Sequence, residues 1–258
     1  MNTLLVIDAG NTHIKWGIYE GPTLRFHWRI PTSRTHSELK AALRRLLEHH
    51  PLHHQLEGAV ISSVVPAVTP LLIDLCRRSL DCDPLVAGSD IETGVSFRFH
   101  PVKLGSDRIV NVAAGVKLYG FPLIVVDLGT ATTLDVVDGE GRFAGGVILP
   151  GIQTAAEALI RRTALPRFTI ERPEGIIGKS TVAGLRAGAI YGAAGQIDGL
   201  VRHIRRESPH PFRVVAATGG FAPLIAPHAR SIHHVHPRLT LDGLRILWEM
   251  NRKGGSSG

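Results

Sequence analysis

Val6-Ile7-Asp8-Ala9-Gly10-Asn11-Thr12 is answered near mid-chain by Val125-Val126-Asp127-Leu128-Gly129-Thr130-Ala131. Both stretches run hydrophobic-hydrophobic-Asp-x-Gly-polar, and the two Asp residues stand almost half the chain apart. Each closes an apolar run, Thr3 to Asp8 and Leu123 to Asp127, with the composition of a buried strand. A motif repeated at that distance marks an internal duplication. It predicts two mixed α/β halves, residues 1–118 and 119–252, followed by a flexible Gly/Ser tail at 253–258.

The flanking segments extend the pattern. After the first copy, Asn11 to Ile18 turns back as the second strand of a hairpin. Ser37 to His49 has the helical spacing Leu39, Leu43, Leu46, Leu47, with Ser37 as its cap. Gly58 to Val64 reads as a strand, and Pro70 to Leu80 and Ser106 to Tyr119 as helices. After the second copy come helices at Ile152–Arg162 and Thr181–Arg206, then a strand at Phe212–Ala217 that runs into Thr218-Gly219-Gly220. A last helix spans Asp242 to Asn251.

The 258 residues are 44% hydrophobic and 20% charged, which excludes a disordered body and provides for a buried core. No apolar run is long enough to span a membrane, and no secretory signal opens the sequence. The two cysteines, Cys76 and Cys82, match no common zinc spacing. A reducing cytoplasm and no membrane association are therefore expected. The net charge of +7 raises a nucleic-acid partner. Its excess sits largely in pairs, Arg44-Arg45, Arg77-Arg78, Arg161-Arg162 and Arg205-Arg206, with no interleaved aromatics to stack bases. These read as solvated helix faces, and the basic balance suits an enzyme with anionic ligands. The histidines at 49, 50, 53 and 54, and at 233, 234 and 236, read as solvated loops rather than a metal site.

The chemistry lies in the repeated turn. Glycine there permits a tight bend and lets backbone N–H groups approach an anion. Asn, Thr and Lys side chains add donors to phosphate oxygens, and an Asp at the strand end can hold a hydrated divalent ion. Lys15 leaves its strand with a charge to balance phosphate. No Gly-x-x-x-x-Gly-Lys-[Ser/Thr] occurs, so the chain is no P-loop enzyme. Gly105-Ser106-Asp107-Arg108 is the second cluster. Asp can accept a hydroxyl proton and Arg can grip a carboxylate, while the alternative is an N-cap with Arg108 in solvent. Gly219-Gly220 is either a plain turn or a place where backbone passes close to a flat ligand such as adenine. Gly184, Gly188, Gly192, Gly195 and Gly199 line one helix face. Another backbone should pack on them, from the same domain or from a second copy across a two-fold axis.

Taken together, these pieces resemble the type III pantothenate kinases of the actin-like, hexokinase-like and Hsp70-like ATPase superfamily. The matching motifs are Asp8 to Gly17, Leu104 to Arg108, Asp127 to Thr133, Gly145 to Gly151, Ile177 to Thr181 and Ala217 to Gly220, in the family's order. The resemblance implies two duplicated actin-like, ribonuclease H-like halves with an ATP cleft between them. It implies phosphorylation of pantothenate to 4′-phosphopantothenate, the first step towards coenzyme A, by a cytoplasmic homodimer. Carried over by position, Asp8, Ala9, Gly10, Asn11, Thr12, His13, Ile14, Lys15 and Thr130 bind ATP, which comes with magnesium. Phe99, Gly105, Ser106, Asp107, Arg108 and Thr181 contact pantothenate, with Asp107 as base. Asp127 holds a monovalent cation, potassium or ammonium. One departure stands out: the family's Tyr-x-x-Pro is Phe99-His100-Pro101 here, one residue shorter and without the hydroxyl. The competing readings are a non-catalytic, transcription-activating relative of the same fold and another small-metabolite kinase of the superfamily. Retained Asp8, Lys15, Asp107, Arg108, Asp127 and Thr181 argue for catalysis, and no nucleic-acid partner is expected.

Overall fold

In the computed structural model, which describes residues 3–32, 35–49, 56–88, 90–97 and 104–253, the two Asp-x-Gly stretches end corresponding strands of two sheets. The first sheet has β1 (Thr3–Ala9), β2 (His13–Glu20), β3 (Thr23–Pro31), β4 (Leu56–Ser63) and β5 (Leu85–Val86), ordered β3-β2-β1-β4-β5. The second has β6 (Ser96–Phe97), β7 (Leu123–Leu128), β8 (Ala131–Val137), β9 (Arg142–Pro150), β10 (Val214–Thr218) and β11 (His234–Val235), ordered β11-β10-β7-β8-β9-β6. Read from the hairpin side, β3-β2-β1-β4-β5 corresponds to β9-β8-β7-β10-β11. The strands at the hairpin side are antiparallel and the others parallel in both sheets. Only β6, parallel to β9, has no counterpart among the described residues.

The helices are α1 (His36–His49), α2 (Thr69–Leu80), α3 (Ser106–Tyr119), α4 (Ile152–Arg162), α5 (Thr181–Glu207), α6 (Ala222–Ile225) and α7 (Leu239–Lys253). The chain divides into two compact units. The first takes β1–β5, α1, α2, α3 as far as Ala114, and α7; the second takes β6 and everything from Gly115 to Arg238. The repeat alone assigns α7 to the second half, but contacts assign it to the first. A local motif marks where a unit begins and carries no information on which sheet a distant helix covers. Here Leu241, Leu244 and Leu247 of α7 pack with Leu4, Val6, Tyr19 and Val60.

β1 is buried along its whole length because both of its faces are covered. Leu5, Ile7 and Ala9 face a core shared with Leu39 and Leu43 of α1 and Leu72 and Leu75 of α2, while Leu4 and Val6 face α7. β3 alternates in exposure along its length: Phe26, Trp28 and Ile30 reach the first core, and Trp28 stacks on Trp16 with ring centres 5.7 Å apart. In the second unit, α5 starts at Ser180, whose hydroxyl accepts the Ala183 N–H. It buries Ile190, Ala194, Ile197 and Val201 against Ile124, Val126 and Val215. One cap differs from expectation. Ser37 lies inside α1, and Thr35 precedes the helix, its backbone oxygen accepting from Leu39 N–H and its hydroxyl donating to Glu38. No helix among the described residues is long and apolar enough to cross a membrane.

Candidate active site

The first turn is a small ion-paired device. Antiparallel pairing sets Asp8 opposite Lys15, and Lys15 Nζ lies 3.1 Å from Asp8 Oδ2. The carboxylate is 7% exposed and the lysine 46%, so one side of the ammonium faces solvent. Gly10 N–H donates to the His13 carbonyl at 3.0 Å, and the Thr32 hydroxyl donates to the Gly10 carbonyl at 2.6 Å. The loop is thereby fixed from both sides. Asn11 and Thr12 are exposed at its tip, whereas Ala9 and Ile14 are fully buried and pair across its base. Burial first, then the charges of Arg29 and Lys15, hold His13 below the ordinary histidine range, so its ring is neutral near pH 7.

In the same unit α3 begins beside the end of β4. Ser106 Oγ is 3.0 Å from Ser62 Oγ and accepts the Ser63 N–H at 2.9 Å. Ser63 Oγ in turn accepts from Thr69 Oγ1 at 2.8 Å. Ser106 therefore anchors the helix start through a hydroxyl network that the sequence reading did not include. Asp107 Oδ1 accepts the Arg108 N–H at 2.8 Å and folds back over Gly105. A Cβ at Gly105 would lie 2.6 Å from that oxygen, so glycine is required for this pose. Asp107 and Arg108 are both half-buried.

The second turn is built differently. Asp127 ends β7 opposite Thr133 of β8 and beside Thr218 of β10. Gly219, at φ +91°, follows Thr218 and crosses the end of β7. A Cβ there would meet Asp127 Oδ1 at 2.5 Å and the Leu128 carbonyl oxygen at 2.6 Å. Only glycine allows this close approach to the Asp127 carboxylate and the Leu128 carbonyl, two oxygens of the kind that suit a hard cation. Thr130 is exposed; its carbonyl accepts from Gly151 N–H at 3.1 Å and from the Thr154 hydroxyl at 2.8 Å. Thr181 opens α5 and lines an apolar groove between α4 and α5, about 420 Å³ in volume, reaching past Gly184, Gly188 and Gly192. Phe99 and His50, His53 and His54 lie outside the described residues. His233 Nδ1 accepts the Val215 N–H at 2.9 Å, and Tyr119 stacks on His234 with its hydroxyl 3.0 Å from His236 Nδ1.

Residues 4–203 match the family described as type III pantothenate kinase. The chain is 44% identical over 253 residues to the type III pantothenate kinase of Geobacillus thermodenitrificans (strain NG80-2), covering 96% of this chain and 98% of that one. The chain belongs to the type III pantothenate kinases. The same enzyme of Geobacillus kaustophilus (strain HTA426) is 45% identical with the same coverage. Type III pantothenate kinases use ATP, with its divalent cation, and pantothenate, and the product enters coenzyme A biosynthesis. Among solved structures, the glucomannokinase of Arthrobacter sp. strain KM that uses inorganic polyphosphate or ATP superposes with a TM-score of 0.52 at 15% identity, covering 98% of this chain and 100% of that one. A Campylobacter jejuni protein described as a candidate Baf-family transcriptional activator superposes at 0.60 and 16% identity, covering 96% and 99%. At these identities the likeness establishes the duplicated α/β fold and carries no regulatory reading.

Proposed function

We propose that this type III pantothenate kinase transfers the γ-phosphoryl group of ATP to the primary hydroxyl of pantothenate with Asp107 as the base. The new bond joins the hydroxyl oxygen to phosphorus, the bond between phosphorus and the β–γ bridging oxygen breaks, and the hydroxyl proton passes to the Asp107 carboxylate. A primary alcohol is a poor nucleophile, and a fixed carboxylate orients it as well as taking the proton. The observation that carries this assignment is the Asp107 pose, pinned by the Arg108 amide and folded over Gly105. Arg108, the next residue of α3, offers a fork for the substrate carboxylate. Lys15, Asn11 and Thr12 supply donors for the triphosphate, and Thr130, exposed at the second turn, is a further ATP-binding residue. Asp127, with the Leu128 carbonyl, holds a monovalent cation, whose contribution when bound is positive charge close to the phosphates.

The protein acts as a cytoplasmic homodimer in this reading. Its support is the α5 face: among the described residues, and apart from the helix's own backbone, nothing lies within 4 Å of a Cβ placed at Gly184, Gly188, Gly192, Gly195 or Gly199. Gly178 of the same domain packs against the α5 backbone at Gly184, but from Gly188 to Gly199 no described residue comes that close, and a second copy is the occupant the groove favours there. Asp107→Asn tests the base. It keeps size and most hydrogen bonding, so kcat should fall about 10²–10⁴-fold while ATP binding by calorimetry barely changes. Near-normal kcat, or loss of ATP binding instead, would remove Asp107 from this role.

A further inference from the structure

The last two turns of α5 carry Arg202, Arg205 and Arg206 at i, i+3 and i+4, one face of the helix. One turn earlier on that face, Asp198 accepts the Arg230 N–H at 3.0 Å with one oxygen and the Ser231 N–H at 2.8 Å with the other. This holds the segment before β11 against α5 and brings Arg230 to the other three arginines. The six residues line an open cavity of about 520 Å³. Elsewhere on the molecule, Arg77, Arg78, Arg186 and Arg252 each reach an acid at 2.6–2.7 Å. Among the described residues no carboxylate pairs with the guanidinium groups of this cavity, and both oxygens of Asp198 serve backbone N–H groups. Four like charges beside one carboxylate repel one another, an arrangement that an anionic ligand relieves.

Within its unit the place is remote from the second turn. Asp127 and Thr218 stand at the C-terminal ends of β7 and β10, whereas Arg230 and Ser231 precede β11, which runs parallel to them. Arg202 lies about 30 Å along α5 from Thr181, at 1.5 Å per residue. We infer that this cavity is a binding site for an oligophosphate, a chain of two or three phosphates, separate from the kinase's catalytic nucleotide. Guanidinium forks match phosphate oxygens in pairs, and several forks around one cavity exceed what a single phosphate or carboxylate can satisfy. No aromatic side chain lines the cavity, so it lacks the stacking platform of a single-strand nucleic-acid track. The field extends beyond the cavity. Burial first, with Arg205 next, holds His233 below the ordinary histidine range.

Calorimetric titration of inorganic tripolyphosphate at low ionic strength tests the site, using wild type, Arg202→Gln/Arg206→Gln and Lys15→Met. These arginines are exposed, and thermal melts will confirm that the double variant folds. The expected result is a binding isotherm that survives Lys15→Met and weakens about tenfold or more in the arginine variant, with its kcat for pantothenate unchanged. ATP titrated into the same proteins separates the sources. Arginine-dependent binding of ATP tighter than tripolyphosphate assigns the site to a nucleotide-borne chain, and equal or weaker binding assigns it to a free one. Unchanged tripolyphosphate affinity in the arginine variant overturns the proposal. So does a twelve-nucleotide single-stranded RNA that binds more tightly than tripolyphosphate through the same arginines.

Discussion

The two Asp-x-Gly turns are copies in sequence and topology, yet they have diverged in what surrounds the carboxylate. In the first, Asp8 faces Lys15 across the hairpin and the pair forms an ion bridge. The second hairpin is one residue tighter: Leu128 pairs with Thr132, where Ala9 pairs with Ile14. That single residue shifts the register, so Asp127 faces Thr133. The parallel neighbours differ as well. Beside Asp8, β4 ends in Ser62-Ser63, and the Ser62 hydroxyl and the Ser63 N–H secure Ser106 at the start of α3. At the matching place in the second unit, β10 ends in Thr218 and is followed by Gly219, which packs directly against the Asp127 carboxylate and the Leu128 carbonyl. One turn is thus built with its own cation and a hydrogen-bonded support for the start of α3, the other with a glycine packed against two oxygens.

The largest effect should come from a side chain at Gly219. Gly219→Val places a branched side chain at φ +91° against Asp127 and the backbone of Leu128. Strain and overpacking together should cost about 2–6 kcal/mol, read as a shift in the urea midpoint. Ser63→Val at the matching position should cost only about 1–2 kcal/mol for lost hydrogen bonds. Equal losses would mean the two strand ends are built alike. A smaller effect is expected from the charge asymmetry. Lys15→Met should lower kcat/KM for ATP about 10–100-fold, the range for a charged hydrogen bond, while Thr133→Val should leave it within about threefold. Matched losses would make the turns equivalent and remove Lys15 from its special position.

Much of this was legible in the chain because buried strands and helices announce themselves locally. β1 and β7 are continuous apolar runs, and α3, α4 and α5 have the expected period. β3 went unread, although Leu24, Phe26, Trp28 and Ile30 alternate with polar residues as a half-buried strand should. β9 was masked by Gly145-Gly146, which reads as a turn until a neighbouring strand is supplied. The register difference between the hairpins was not legible at all. It depends on where each loop closes, on Gly10 bonding to His13 but Gly129 to Ala131, and no composition rule reports that. The link from the Thr69 hydroxyl to the Ser63 hydroxyl, and from the Ser63 N–H to Ser106, was hidden for the same reason, since its members come from three separate elements.

The smallest effect on stability should come from the glycine stripe. Gly188→Leu meets open space in the chain itself, and leucine favours a helix over glycine by about 1 kcal/mol. The folded chain should therefore hold or slightly gain stability, while light scattering shows loss of the dimer mass. A destabilised chain that keeps its mass would instead return the stripe to internal packing.

The division of labour between the turns is tested most directly by potassium titration of kcat at fixed magnesium and ATP, with choline keeping ionic strength constant. Wild type and Lys15→Met should both be activated along the same potassium curve, the lysine variant at lower overall activity. Asp127→Asn should give a flat response at low activity. Full wild-type turnover in choline alone, or an unchanged potassium curve in Asp127→Asn, would contradict the assignment of the cation to the second turn.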